Sequence, residues 1–262
     1  MSMNSRTEKR MLLFAIFIIL TTGGQTFAGE YLCSGSWKTD LENIKRARAM
    51  AQGVFVRLDI DLLKFEGHID RGTYEKYLEA VDDNVKTLIV NSSGGDSYDG
   101  VRIGLDMVKR NIDVIVDGVA GSSAANYLFT AGKRKIICRG FVGFHGNAGA
   151  VKDKKGLEES IRSAAAKAGE SREQIEKTLK ETIAVKDETV KLEKEIYAKL
   201  GISQRLFDIT QEDSKGLSPE LNLNFEFLLP SIRTMEKFGI GNVEGRQDIE
   251  LAERLGLTVI YY

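Results

Sequence analysis

Several kinds of residue are scarce in this sequence, and each scarcity excludes a class of protein or site. The 262 residues include two prolines, two histidines and two cysteines. Two prolines exclude a proline-rich linker. The histidines and cysteines show none of the close spacings that zinc sites use, so we expect no metal site and no metal cofactor.

An excess of charge of either sign is also missing. The chain has 37 Lys+Arg and 38 Asp+Glu, which gives a net charge of −1. Charge therefore gives no reason to expect a nucleic acid partner. The composition, 42% hydrophobic and 29% charged, is that of an ordinary folded protein. The length allows one large α/β domain or two small ones.

Long apolar runs are absent apart from one short stretch near the N-terminus. This stretch, Met11–Leu20, follows basic residues and precedes small and polar ones, and we expect cleavage after Ala28. A bilayer span needs about 20 apolar residues, so the pattern predicts a secretory signal peptide over residues 1–28. An uncleaved inner-membrane anchor over residues 11–24 is the alternative. The folded part is then expected in the periplasm or outside the cell, and it would touch the membrane only through an uncleaved N-terminal segment.

The two cysteines, Cys33 and Cys138, would both lie in the exported chain. In an oxidising compartment they could form a disulfide that pins the N-terminal part to the central sheet. In the alternative, Cys138 is a buried free thiol on a strand and Cys33 is an exposed one.

Hydrophobic periodicity predicts an alternation of strands and helices over the first part of the chain. Short apolar or alternating runs predict the strands, and apolar positions that share one face predict the helices. The predicted strands are Val54–Ile60, Leu62–Asp70, Val85–Val90, Val114–Val116, Lys135–Cys138 and Phe141–Phe144, and the predicted helices include Tyr74–Val81 and Ala124–Ala131. Such alternation with short links predicts an α/β fold with a mostly parallel sheet.

The pattern changes at Val151, where a highly charged segment that is poor in glycine begins. Two apolar stripes at helical spacing predict a long helical hairpin up to Leu200, closed by Gly201. The hairpin either packs on its own domain, or forms an arm for self-association or a lid. Beyond it we expect the strand Leu223–Leu229, the helices Ile232–Phe238 and Ile249–Leu255, and the terminal strand Leu257–Tyr262.

Three groups that could take part in catalysis follow predicted strands. Gly94 and Gly95 form a turn whose N–H groups could hold an anionic oxygen, although a Gly-Gly turn is more often only a turn. Ser123, with Ser122 before it, begins a helix among small residues, where a serine is more often only an N-cap. His145 follows the last strand, and a single histidine is more often structural. Together, an amide donor, a hydroxyl and an imidazole are what acyl transfer needs. We interpret His68, at the edge of the first strands, as structural and away from this cluster.

The sequence GGD, followed by GVAGSSAANYLFTAGKRKII and FVGFH, resembles the Clp-peptidase/crotonase-like superfamily. More narrowly it resembles the Clp protease proteolytic subunit, signal-peptide peptidase A and their secreted bacterial relatives. The resemblance covers residues 65–147 well and residues 206–243 loosely. It implies stacked ββα units with a mostly parallel sheet, to which the helical segment is an insertion. The expected organisation is 1–28 signal peptide or anchor, 29–53 N-terminal extension, 54–150 core, 151–200 helical insertion and 201–262 the C-terminal part of the core.

The resemblance also implies roles for individual residues. The nucleophile would be Ser123, with Ser122 as the fallback, and the general base would be His145. The oxyanion hole would consist of the N–H groups of Gly95, helped by Gly94, and of Ala124. The triad acid would be Asp213, with Asp208 and Glu212 as rivals.

The resulting hypothesis is an exported serine peptidase that acts on a peptide or protein substrate without a cofactor. The resemblance also implies a homo-oligomer. One alternative is an inactive Clp-like protein that serves as a binding module or scaffold. Another is a crotonase-type enzyme of acyl-CoA, against which the export signal argues because coenzyme A is cytoplasmic. Signal-peptide peptidase A uses a Ser–Lys pair, but the histidine here favours Ser–His–Asp.

Overall fold

A computed structural model describes residues 33, 41–209 and 227–262 of the chain. The chain divides into two compact units, Met1–Lys38 and Thr39–Tyr262. Cys33 is the described residue of the first unit, and every element below belongs to the second. The expected signal peptide or anchor lies outside the described residues. Within the described ranges no helix is long and apolar enough to cross a membrane.

A six-stranded sheet forms the centre of the second unit, which also contains a two-stranded sheet. The strands are β1 (Val54–Asp59), β2 (Leu62–Ile69), β3 (Thr87–Gly95), β4 (Asp113–Ala120), β5 (Lys135–Val142), β6 (Phe227–Leu229), β7 (Val243–Gly245) and β8 (Val259–Tyr261). The order in the large sheet is β1-β2-β3-β4-β5-β7, in which β1 and β2 pair antiparallel and the remaining pairs are parallel. Strands β6 and β8 form the small sheet and are also parallel. The predicted mostly parallel α/β fold is confirmed.

Helices cover the sheet and connect its parallel strands. They are α1 (Leu41–Ala49), α2 (Thr73–Ala80), α3 (Ser97–Arg110), α4 (Lys154–Lys167), α5 (Arg172–Leu200), α6 (Ile232–Lys237) and α7 (Ile249–Arg254), together with a π-helix (Ala124–Phe129) and a 3₁₀ turn (Ala148–Ala150). Strands β3 and β4 are buried on both faces, as their continuous apolar runs predict. The core lies between these strands and α3, which contributes the fully buried Val101, Ile103 and Met107.

Some predicted elements differ from the observed ones. The two short strands predicted at Lys135–Cys138 and Phe141–Phe144 are one strand, β5, which ends at Val142. The charged Arg139 does not interrupt this strand because it pairs in register with Asp117 of β4 and forms an ion pair with it at 3.2 Å. The helix predicted at Ala124–Ala131 begins as a π-helix. The short strand β7 has no counterpart in the prediction.

The charged segment after residue 151 forms the predicted helical hairpin, α4 and α5. Helix α5 begins with a capping box between Ser171 and Gln174 and ends at Gly201, whose backbone is left-handed. Near the end of α5, Ile196 and Tyr197 belong to the main core. The hairpin thus covers much of its own apolar surface. Its end at Ile196 and Tyr197 extends the main core. Its role as an arm or lid, and the domain boundaries expected at residues 53, 150 and 200, stay predictions.

Candidate active site

The predicted site residues gather at the carboxyl edge of the parallel sheet. Gly95 ends β3, Ser123 follows the end of β4, and His145 follows the end of β5. Open α/β folds place ligand sites at this edge, because connecting turns converge there. The structure therefore places the glycine turn, Ser123 and His145, which lie apart in the sequence, at one edge of the sheet.

Ser123 has an unusual backbone. Its φ is +68° and its ψ is −53°, in a region that side-chain-bearing residues rarely adopt. Such a conformation costs about 1–3 kcal/mol and persists only where the surroundings enforce it. The serine side chain does not cap the helix that follows, so the simple N-cap interpretation does not hold. The π-helix after it is itself a form that is often found at functional sites.

The glycine turn and the serine turn touch each other. Gly94 and Gly95 have φ values of +90° and +137°. A Cβ atom on Gly94 would overlap the carbonyl oxygen of Ser122, and one on Gly95 would overlap the carbonyl oxygen of Ile69. Both positions require glycine for backbone conformation and for space.

Two hydrogen bonds join these turns in both directions. The Ser123 hydroxyl donates to the carbonyl oxygen of Gly95 at 2.7 Å, and the Gly95 N–H donates to the carbonyl oxygen of Ser122 at 3.1 Å. The Gly94 N–H donates to the Ser92 hydroxyl at 3.1 Å. The glycine amides expected in the oxyanion hole are thus engaged within the protein. The Ala124 N–H has no backbone acceptor among the described residues.

His145 is half-buried, and its loop is held from two sides. The side-chain amide of Asn126, on the π-helix that follows Ser123, donates to the carbonyl oxygens of His145 at 3.2 Å and of Gly146 at 3.3 Å. Phe144 exchanges backbone hydrogen bonds of 2.8 Å with Leu228 of β6. Burial lowers the pKa of His145, which favours the neutral imidazole. Within the described parts of the chain no hydrogen bond joins this imidazole to the Ser123 hydroxyl.

The acid of the expected triad is Asp213, which with its rival Glu212 lies outside the described residues. The other rival, Asp208, forms an ion pair with Lys152 at 3.6 Å and accepts a hydrogen bond from Gln204 at 3.5 Å. Gln204 in turn bonds Asn147, near His145. Asp208 is therefore linked to the histidine loop through Gln204.

The interpretation of His68 as distant from the site is wrong. His68 on β2 pairs in register with Gly94 of β3, and a Cβ atom on Gly95 would overlap the His68 imidazole. Both histidines of the chain thus lie at the same edge of the sheet. The sequence hides this because the register shifts between β2 and β3 after Glu66.

The motif assigns no role to three further residues of this region, Ser97, Tyr127 and Glu193. The Ser97 hydroxyl lies 3.4 Å from the Ser123 hydroxyl. The Tyr127 hydroxyl donates to the Glu193 carboxylate, which is 1% exposed. Glu193 sits in the apolar stripe of α5, one turn before the buried Tyr197. A glutamate within an apolar stripe is the one feature of the sequence that could have pointed to Glu193.

Both cysteines, Cys33 and Cys138, are disulfide-bonded. None of the cysteines that the structure describes is free. Among the same described residues no group of three or more histidine, cysteine, aspartate and glutamate side chains could hold a metal ion.

No protein-family model matches this chain, and no curated protein sequence matches it. Among solved structures, the chain is similar to a ClpP1 mutant from Listeria monocytogenes. The two are 18% identical, with a TM-score of 0.39, and the similarity covers 74% of this chain and 95% of that chain.

Proposed function

We propose that this chain is an exported serine peptidase in which Ser123 is the nucleophile and His145 the general base. One observation carries the proposal. Ser123 is held in a strained backbone conformation with its hydroxyl directed at the glycine turn. A structural serine in a turn gains nothing from this strain, whereas a nucleophile needs a fixed direction.

The proposed reaction begins with a neutral His145, which the lowered pKa favours at pH 7. His145 takes the proton of the Ser123 hydroxyl as the serine oxygen attacks a peptide carbonyl. The N–H groups of Gly95 and Ala124 hold the resulting oxyanion, and His145 gives its proton to the leaving amine. Water then attacks the acyl-enzyme, again with His145 as base. The Gly95 N–H must first leave the Ser122 carbonyl.

The test is covalent labelling of the full chain with a fluorophosphonate probe, with the adduct located by mass spectrometry. We expect the adduct on Ser123 and its loss in Ser123→Ala and His145→Ala. Ser122→Ala is the matched control, because it removes the neighbouring hydroxyl and should leave labelling intact. An adduct on Ser122 would contradict the assignment of the nucleophile, and a folded protein that takes no label would contradict the peptidase.

A second candidate function, an inactive Clp-like binding module, has one observation in its favour. The amides of Gly94 and Gly95 are both satisfied within the protein, so the resting site has no free glycine donor for an oxyanion. This candidate predicts that even prolonged incubation with the probe leaves Ser123 unmodified in a protein with an intact fold.

Export is supported by the chemistry of the cysteines. Cys33 and Cys138 are disulfide-bonded, and disulfides persist in oxidising compartments. A thiol count on denatured, unreduced protein from the periplasm of the producing cell should find no free thiol. Two free thiols per chain would argue against this part of the proposal.

Self-association is proposed from the motif resemblance alone. Light scattering at micromolar concentration should give a mass that is a multiple of the 29.1 kDa chain, less any cleaved signal peptide. A monomer under these conditions would contradict it.

A further inference from the structure

The carboxylate of Glu193 connects three segments that are distant in sequence. It belongs to α5 in the charged hairpin. It accepts hydrogen bonds of 2.9 Å from the backbone N–H groups of Ala148 and Gly149. It also accepts a hydrogen bond from the hydroxyl of Tyr127. One buried side chain thus bonds the hairpin to two other parts of the chain.

Each of these two parts directly follows a segment that contains a proposed catalytic residue. Ala148 and Gly149 belong to the 3₁₀ turn that directly follows the His145 loop. Tyr127 lies on the π-helix that directly follows Ser123 and is fully buried. Glu193 therefore fixes the loop of the proposed base and the helix of the proposed nucleophile at the same point.

The surroundings make this connection rigid. The ring of Tyr197 stacks on that of Tyr127 at 6.4 Å and on that of Phe207 at 4.7 Å between centroids. On the other side, the Ser97 hydroxyl lies 3.4 Å from the Ser123 hydroxyl. Polar contacts therefore join Ser123 to Ser97 and, separately, Tyr127 to Glu193.

The free-energy cost of burying a carboxylate indicates that Glu193 does more than fill space in the core. Burial raises the pKa of Glu193, since a charge inside a protein loses its hydration. Hydrogen bonds from Tyr127, Ala148 and Gly149 act in the opposite direction. An apolar side chain at this position would avoid the cost of burial. It would also leave the half-buried amides of Ala148 and Gly149, which follow the histidine loop, without this acceptor.

We infer that Glu193 is a positioning residue, which holds the His145 loop in place relative to Ser123 and thereby connects α5 to the site. The inference rests on the proposed function, because it assigns to Glu193 an effect on the Ser123–His145 pair. Glu193 itself reaches neither reacting atom.

The first test measures the rate at which the fluorophosphonate modifies Ser123. Small misplacement of catalytic groups costs about 10²-fold in rate, so Glu193→Ala should lower the maximal labelling rate by about that factor and leave the concentration for half-maximal rate unchanged. Glu193→Gln keeps the shape and one acceptor oxygen, and should restore part of the rate. A folded Glu193→Ala that labels at the wild-type rate would overturn the inference.

Matched controls separate positioning from a loss of stability. Ile196→Ala removes a fully buried side chain from the same helix but leaves the carboxylate in place, so its folded fraction should label at the wild-type rate. If Ile196→Ala slows labelling as much as Glu193→Ala, the effect is one of packing and the inference fails. Should Glu193→Ala not fold, Tyr127→Phe removes only one hydroxyl from the same contact and should slow labelling by a smaller factor.

A second measurement keeps the inference testable if the wild-type protein takes no label and the peptidase proposal fails. Hydrogen exchange at Ala148 and Gly149 reports their bonds to Glu193 without reference to activity. Glu193→Ala should strip both amides of protection, whereas Ile196→Ala, measured under conditions where it is folded, should retain it. Equal protection in wild type and Glu193→Ala would overturn the inference.

Discussion

The two ends of the charged hairpin are alike in composition and opposite in role. The outer arm comprises α4 and residues 172–188 of α5, and its buried side chains are Ala165 and Leu179. The inner arm, residues 189–200, buries Thr189, Glu193, Ile196 and Tyr197. The charge content of a helix therefore does not tell which of its turns belong to the core. Burial is decided by what lies opposite each turn, and opposite the inner arm lie α3 and the π-helix.

The largest effect should come from the inner arm. Ile196→Ala leaves a cavity in the main core, where Ile196 is fully buried, and should lower the free energy of unfolding by about 2–5 kcal/mol. Denaturant unfolding followed by circular dichroism measures this. A loss below about 1 kcal/mol would place the inner arm outside the core and abolish the distinction between the two ends.

Leu179→Ala is the counterpart in the outer arm. Leu179 is buried in the hairpin, away from the main core cluster, so its loss should loosen the hairpin locally and lower global stability by about 1 kcal/mol. Hydrogen exchange should accelerate in α4 and the first turns of α5 while the β-sheet stays protected. Equal destabilisation by Leu179→Ala and Ile196→Ala would show that the hairpin unfolds with the core.

The pH dependence of His145 tests the loop that the inner arm holds. Burial lowers its folded-state pKa below the ordinary value, so the unfolded chain binds more protons and stability falls as pH drops below about 6.5. With two histidines in the chain, NMR titration yields two curves, and His145→Gln identifies which belongs to His145. We expect its midpoint below about 6.5, shifted upwards by Glu193→Ala and unchanged by Leu179→Ala. A wild-type midpoint above that value would contradict the burial of this imidazole.

The smallest effect should come from an exposed ion pair. Arg162 and Glu176 form a bond across the outer arm with both side chains about half exposed. Exposed pairs contribute little to stability, so Arg162→Ala should leave the midpoint of denaturant unfolding nearly unchanged and the labelling of Ser123 unaffected. A clear loss of labelling would give the outer arm a function that its exposure does not suggest.

Much of the fold can be predicted from the sequence, because strands that are buried on both faces have continuous apolar runs. Val85–Val90 and Val114–Val116 mark β3 and β4, although both strands continue into polar or glycine residues that no run could reveal. The sequence pattern predicts two strands between Lys135 and Phe144, which is wrong. The single strand β5 depends on the ion pair of Arg139 with Asp117, and Asp117 lies on a neighbouring strand. Similarly, a helical stripe at Ala124–Ala131 does not distinguish an α-helix from a π-helix.

The candidate site can also be predicted in part from the sequence. Ser123, His145 and the glycine turn stand out because their chemistry follows strand ends. Glu193 does not, because two of its three hydrogen-bond donors are backbone amides, which the sequence does not distinguish. His68 was assigned away from the site because only the register between β2 and β3 brings it beside Gly95. The directions of the Gly94 and Gly95 N–H groups are likewise a property of the folded turns.

In the proposed peptidase, the reciprocal hydrogen bonds between the serine and glycine turns would compete with substrate for the Gly95 N–H. If each bond contributes about 1 kcal/mol net, the two together would leave roughly one molecule in thirty in an open form. The apparent affinity for substrate would fall by the same factor. Any contact that favours the open form would then raise activity without a change in the catalytic residues.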